Sequence, residues 1–386
     1  MHVAHIITRL IIGGAQENTL YNCEDLLRRH GDEVTLITGP GLGPEGSLME
    51  RARQAGFRLV EIPNMRRSLH PWRDWRSYRE IIRVLRELQP DIVHTHSSKA
   101  GILGRAAAAK LGIPAVHTVH GAAFHRGQSS VAFNAYRLAE RLAAPWCDAI
   151  ISVCDALTEQ YVEAGIAPAN KFSTIYSGME VEPFLSPPRS RGDVRRELNL
   201  EPQHVVVAKV ARLFHLKGHE YLLAAARNVA TLHPNVRFLL IGDGLLRPAI
   251  EAEIARLGLQ RHFIFTGLVP PVRIPELLNA ADIVVHTSVW EGLARVLPQG
   301  LISGKPVVSY DVDGAREVVL SGETGYLLPV ESISELIQAL SILISRPELR
   351  EQFGQAGRAL CVDRFRHEVM TEQIRAVYER VLAARS

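Results

Sequence analysis

Between residues 289 and 318 the chain reads VWEGLARVLPQGLISGKPVVSYDVDGAREV, and its acids, amide and glycines are spaced for chemistry on a charged, hydroxylated ligand. Glu291 and Gly292 stand where the pattern passes from loop to helix, and Gln299 follows two turns later on the face of that helix. An apolar strand, 305–309, then leads to a second acidic turn at Asp311 and Asp313. A helix start offers unpaired backbone N–H groups and a partial positive charge, which suits a diphosphate. A carboxylate at the same mouth suits sugar hydroxyls, so the segment has the layout of a nucleotide-sugar site.

Other residues point the same way. In VARLFHLKG, 210–218, Arg212 and Lys217 fall in a loop between strand and helix, where two fixed cations can bracket a diphosphate. The turns at Gly242-Asp243-Gly244 and Thr266-Gly267-Leu268 also end strands, and small residues there let a base or ribose approach the backbone. Gly13-Gly14-Ala15-Gln16 opens a helix and can present N–H groups to phosphate, although such a turn is also a common structural device. His94, His96, Ser97 and Lys99 close one strand and His117 and His120 the next, which places them at a ligand-facing rim. A metal site is not expected, because neither an HExxH pattern nor a carboxylate at ligand spacing accompanies the histidines. Asp311 and Asp313 look like a metal-binding DxD but lie beyond the nucleotide pocket, and are read as a turn shaping its sugar end.

Two series of alternating strand and helix patterns position these residues. The first has strands near 3–7, 34–37, 92–95, 116–119 and 149–153; the second has strands near 205–210, 238–241, 263–266, 283–286 and 307–309. Short β-branched runs alternating with helices predict doubly wound parallel sheets, with ligands at the carboxyl ends of the strands. The proline-bearing stretch 178–193 reads as a linker. A helix over 72–88 carries apolar residues at 72, 75, 78, 82, 85 and 88, the period of a domain helix with one solvated face; its arginines also suit docking on an anionic bilayer.

At 386 residues the chain is long enough for two domains, and nearly half of it is apolar. A net charge of +3 does not imply nucleic acid. The charge is uneven: 51–86 holds ten arginines against three acids, seven positive charges in excess. The four cysteines form no CxxC and sit in apolar sequence, as free thiols in a reducing compartment would. With no secretory pattern at the N-terminus and no spanning apolar run, a cytoplasmic protein is expected, with any membrane contact peripheral.

The ordered set GGAQ at 13–16, HTHSSKAGILGR at 94–105, HTVHG at 117–121, YSGME at 176–180, VARLFHLKGHEYLL from 210, GDG at 242–244, ADIVVHTSVWEGLARVLPQ at 281–299 and DGAREV at 313–318 resembles the retaining family 4 glycosyltransferases. The resemblance spans nearly the whole chain. It implies an α/β GT-B architecture: two Rossmann-like doubly wound domains facing across a cleft, an acceptor domain at 1–182, a donor domain at 183–364 and a last helix, 365–386, crossing back to the first domain. It implies that Arg212 and Lys217 grip the donor diphosphate and that Glu291 contacts the donor sugar. The amides of Gly292, Leu293, Ala294, Arg295 and Val296 would complete those contacts. His120 would stand beside the transferred sugar and Gly14, with Gly13, at the phosphates; Gly242, Gly267, Leu268 and Gln299 would complete the donor site, and His96, Ser97 and Lys99 would meet the acceptor.

One departure concerns chemistry. The second acid of the family's signature is Gln299 here, which keeps a carbonyl for ribose hydroxyls but loses a charge-assisted bond. The expected reaction is transfer of a sugar from a UDP- or GDP-sugar to an acceptor hydroxyl, lipid-linked or not, at the inner face of the membrane, in polysaccharide, lipopolysaccharide or glycolipid synthesis. No cofactor or metal is expected. The rival readings are a sugar-nucleotide epimerase on the same fold and a non-catalytic sugar-nucleotide-binding protein. A nicotinamide dehydrogenase fits poorly, since no GxGxxG follows the first strand.

Overall fold

The computed structural model describes residues 1–43, 46–125 and 127–385. The chain forms two compact units, Met1–Met179 with Phe365–Ser386, and Glu180–Arg364.

The first unit is built from β1 (His2–Ile7), α1 (Gly14–His30), β2 (Glu33–Thr38), α2 (Met49–Gln54), β3 (Arg58–Glu61), α3 (Pro71–Leu88), β4 (Ile92–His96), α4 (Ser98–Leu111), β5 (Ala115–Val119), α5 (Ser130–Ala143), β6 (Ala149–Ser152), α6 (Asp155–Glu163) and β7 (Phe172–Thr174). Its seven strands are parallel in the order β3-β2-β1-β4-β5-β6-β7. Helices cover both faces of such a sheet, so β1, β4 and β5 are almost wholly buried.

The second unit runs α7 (Glu182–Leu185), α8 (Arg191–Glu197), β8 (Val205–Val210), α9 (His219–Leu232), β9 (Val236–Ile241), α10 (Arg247–Arg256), β10 (Phe263–Gly267), α11 (Ile274–Ala280), β11 (Ile283–His286), α12 (Val296–Ile302), β12 (Val307–Tyr310), β13 (Gly325–Leu328), α13 (Ile333–Ser345) and α14 (Pro347–Cys361). Its six strands are parallel in the order β10-β9-β8-β11-β12-β13. In each sheet the direction of winding reverses between two central strands, β1 and β4 in one and β8 and β11 in the other. The crevice beyond the carboxyl ends of such a pair is where open α/β sheets bind ligands.

The last helix, α15 (His367–Ala383), belongs to the first unit, where Met370, Ile374, Val377, Tyr378 and Val381 share a core with Val3, Ile7 and Leu20. Stretch 178–193 is not a plain linker: Pro183 sits in the first turn of α7, where a missing N–H costs nothing, and Val181 and Phe184 are buried. The buried stripe of α3 also differs from expectation. Ser77, Ile81, Ile82, Val84 and Leu85 face the core, whereas Trp72 and Trp75 are 55% and 47% exposed and stack on each other at 5.0 Å. The four cysteines are free and buried.

Candidate functional site

In the second unit two loops leave the switch-point strands: 211–218 after β8 and 287–295 after β11. Backbone bonds join them, with the Val289 N–H donating to the Leu216 carbonyl at 3.0 Å. Gly218 adopts a φ of 60°, and a Cβ there would stand 1.8 Å from the Thr287 carbonyl oxygen, so only glycine allows the approach. The close packing brings the Lys217 ammonium into an ion pair with the Glu291 carboxylate, both side chains about one-fifth exposed. His286, at the end of β11, stands 3.5 Å from the same carboxylate and hydrogen-bonds Ser309 through Nδ1. Burial alone would raise the Glu291 carboxyl, but Lys217 and His286 hold it well below the usual carboxylate range.

The acidic turn supports this carboxylate from behind. Asp313 accepts the Glu291 N–H at 2.9 Å, and burial followed by the nearby Glu291 charge raises its own carboxyl. Asp311 pairs with Arg316. Both acids thus have protein partners.

Glu291 does not open a helix directly. Gly292 to Arg295 form a non-helical link, and α12 is a helix of seven residues from Val296. Its internal bonds begin with the Leu297 N–H on the Ala294 carbonyl at 3.0 Å and the Gln299 N–H on the Arg295 carbonyl at 3.0 Å. The amides of Gly292, Leu293, Ala294, Arg295 and Val296 thus precede the internal bonding of the helix, and Gln299 is half-buried in its first turns. Gly242 and Gly244 are demanded by the 211–218 loop: Cβ atoms there would stand 2.2 Å from the Ala211 and 2.5 Å from the Leu213 carbonyl oxygens. Gly267 closes the neighbouring turn at a φ of 69°, and Leu268 beside it is 58% exposed.

In the first unit, Gly13 precedes and the exposed Gly14 begins α1, whose first turn is otherwise half-buried. Of the histidines expected at a rim, His94, His96 and His117 are not there. His5, His94 and His96 are fully buried and His117 nearly so; parallel register sets His5 beside His94, and α15 closes over them. His5 Nδ1 lies 3.0 Å from His96 Nε2, and His96 Nδ1 lies 3.2 Å from His120 Nε2, a chain of three imidazoles ending at the half-buried His120. Desolvation pushes His5 down to about 3 and His94, His96 and His117 well below the ordinary histidine value, so all four are neutral. One ligand atom from each of His5, His94 and His96 falls within 4.8 Å of the others, close enough for a metal ion. His94, however, spends both ring nitrogens on Tyr378 at 2.5 Å and Thr118 at 2.7 Å, and His5 bonds His96 directly. These bonds tie the three rings into one hydrogen-bonded network, which leaves His5 Nε2 buried without a hydrogen-bond partner among the described residues.

Of the three residues expected to meet an acceptor, His96 and Lys99 are placed otherwise. His96 is sealed behind His120; Lys99 pairs with Asp74 at 2.6 Å and bonds the Ser68 carbonyl, bracing α4 against α3. Ser97, half-buried with a φ of 60°, meets Thr8 Oγ1 at 2.8 Å. Sequence reasoning missed His5, whose position in the strand HVAHII reads as one alternation among others, and Lys209, His286 and the bond from Asp313.

With these sites described, comparison decides the family. Residues 13–178 match the glycosyl transferase 4-like domain and residues 190–360 the glycosyl transferases group 1 family. The chain belongs to the group 1 glycosyltransferases. It is 29% identical over 343 residues, 88% of this chain and 86% of the relative, to the UDP-Gal:alpha-D-GlcNAc-diphosphoundecaprenol alpha-1,3-galactosyltransferase of Escherichia coli. It is 27% identical over 310 residues to the alpha-maltose-1-phosphate synthase of Mycolicibacterium smegmatis, 76% of this chain and 79% of that one. Among solved structures, Anabaena Alr3699/HepE in complex with UDP and glucose has a TM-score of 0.83 at 22% identity, covering 98% of this chain and all of that one. WaaG, a glycosyltransferase involved in lipopolysaccharide biosynthesis, has a TM-score of 0.77 at 19% identity over 97% of this chain and 99% of its own. This glycosyltransferase thus has two Rossmann-like parallel-sheet units, the fold of its GT-B neighbours.

Proposed function

We propose that this glycosyltransferase transfers a hexosyl group from a UDP-sugar, with retention of anomeric configuration, to a hydroxyl of a lipid-linked acceptor at a membrane surface. The observation that carries the reading is the Lys217–Glu291 pair at the mouth of the β8–β11 switch point, a cation for the diphosphate and an anion for sugar hydroxyls on adjoining loops. In the reaction the bond from the anomeric carbon to the diphosphate breaks, the acceptor oxygen bonds that carbon on the same face, and the acceptor proton passes to the departing phosphate oxygen. Arg212 and Lys217 stabilise the charge that develops there, and no protein nucleophile is required. Glu291, with Gly292 to Val296, orients the sugar.

UDP is favoured because UDP complexes occur among the structural neighbours, and a lipid-linked acceptor because the E. coli relative is named for one. Among the described residues no helix is long and apolar enough to cross a membrane. Surface docking through α3 supplies the alternative: the stacked, exposed Trp72 and Trp75 have Arg76 and Arg79 over their rings at 5.1 and 5.3 Å, beside further arginines. Tryptophan and arginine together suit an anionic bilayer interface.

The test is a panel of UDP- and GDP-sugars, read by nucleoside diphosphate release with and without polyprenyl-diphosphate-sugar acceptors, and product anomers assigned by NMR. Acceptor-dependent release with an α-linked product from an α-linked donor is expected, undiminished after chelator treatment. Acceptor-independent turnover of the sugar nucleotide, or an inverted product, would overturn the reading.

A further inference from the structure

Lys209, the fifth residue of β8, shares the inward face of Val205 and Val207 and is 2% exposed. Its ammonium donates to the Lys217 carbonyl at 2.8 Å and to Thr287 Oγ1 at 2.5 Å; Thr287 Oγ1 in turn donates to the Gly218 carbonyl at 2.6 Å. One buried amine therefore binds the far end of the 211–218 loop to the first residue after β11. Both anchored segments carry a member of the Lys217–Glu291 pair, and the first also holds Leu216 at a φ of 68°, a left-handed conformation unfavourable for a branched side chain.

A lysine in this position is costly. Its partners are a carbonyl and a hydroxyl, neither of which cancels its charge, and an apolar residue of similar length would fill the same space without desolvation. We propose that Lys209 is a positioning residue of the donor site, strapping the two loops at the β8–β11 switch point into one cradle and standing as a second cation behind Lys217 when a nucleoside diphosphate binds. This rests on the reading of those loops as the diphosphate site.

The charge state of the strap follows from its surroundings. Burial, and then repulsion from Lys217, pushes Lys209 down to about 7, while Glu220 and Glu291 work the other way. The remaining titratable groups facing it are His219, pushed down to about 4 chiefly by burial, and His286, lowered by burial, so neither gains a charge above pH 7. Lys217 and Glu291 already neutralise each other. A diphosphate arriving at the mouth then favours the ammonium form of Lys209 and draws a proton onto it. Affinity contributed in this way is fully present below about pH 7, the value without nucleotide, and declines as pH rises through the higher value in the complex.

The experiment is calorimetric titration of UDP, or of GDP if wild type binds that instead, into wild type and Lys209→Met between pH 7.5 and 9. Terminal phosphate ionisation, near pH 6, is complete there. Buffers of different ionisation enthalpy report proton uptake. Lys209→Met is expected to melt no lower than wild type, to bind about tenfold more weakly at pH 7.5, and to lose both the proton uptake and the decline in affinity with pH. Equal affinity and equal uptake in the two proteins would overturn the proposal while leaving the donor site intact. If wild type binds neither nucleotide, the donor-site reading fails and the role of Lys209 with it. Should Lys209→Met not fold, Thr287→Val removes the far end of the strap with the lysine kept; undiminished affinity in that variant also overturns the proposal.

Discussion

Lys217 and Glu291 neutralise each other, each reaching from the loop that follows one of the two switch-point strands. In the proposed reaction a bound donor gives each a new partner, phosphate oxygen for the ammonium and sugar hydroxyl for the carboxylate. Removing one member therefore strands the other as well as deleting a ligand contact. Lys217→Ala should lower kcat/KM by about tenfold to a few hundredfold, the cost of losing one charge-assisted contact. Glu291→Ala should reduce kcat more than donor affinity. Steady-state kinetics on proteins with unchanged circular dichroism check both, and near-native turnover by Lys217→Ala would remove it from the diphosphate site.

Gln299 offers a finer probe of the same pocket. If its amide carbonyl accepts from ribose, Gln299→Glu keeps or modestly strengthens donor binding, and Gln299→Ala weakens it by about tenfold, through one lost hydrogen bond of about 1.4 kcal/mol. Fluorescence or calorimetric titration of UDP distinguishes them. Unchanged affinity in Gln299→Ala would place the ribose elsewhere.

Docking through α3 should depend on both tryptophan and salt. Flotation with liposomes containing anionic lipid at low ionic strength should carry the wild type upward, and 0.5 M salt should weaken that binding because exposed charges are screened. Replacing Trp72 and Trp75 together by serine should reduce flotation several-fold with little loss of stability, as both rings are largely exposed. Wild type remaining in the soluble fraction would assign the exposed pair another partner.

The buried histidines make a prediction about acid stability. His5 is held near 3 when folded against 6.5 when exposed, so protons bind the unfolded chain preferentially between those values. Stability contributed by the neutral ring is complete above about pH 6.5 and is lost as pH falls towards 3. Melting temperature should hold steady from pH 8 to 7 and fall below 6.5. His5→Leu, though less stable at pH 8, should show a shallower fall. Parallel curves for the two proteins would contradict the burial of a neutral His5.

The rhythm of strand and helix was legible because parallel strands covered on both faces read as short β-branched runs, and all ten expected strands are present, with β3, β7 and β13 in addition. The grouping of Lys217 with Glu291 was legible too, since each follows a strand end. What misled were residues whose surroundings come from far along the chain. His94 looks like a rim residue until Tyr378, 284 positions away, covers it. Trp72 and Trp75 fit a helical stripe by spacing, yet α3 is buried along Ser77, Ile81 and Val84, one face further round. Lys209 in VVVAKV reads as a polar alternation, and only its place in the centre of a six-stranded sheet shows that it has no water to face.

The return of α15 to the first unit gives the chain a problem of timing. Residues 1–179 leave the ribosome long before Met370, Ile374, Val377, Tyr378 and Val381, which belong to their core. At about 5–20 residues per second, the intervening synthesis takes roughly 10 to 40 seconds. For that interval a nascent, nearly complete Rossmann half carries an open apolar groove along α1 and an unsealed row of histidines. It is the part of this enzyme most in need of a chaperone, and a chain released before its last twenty residues would leave that groove open permanently.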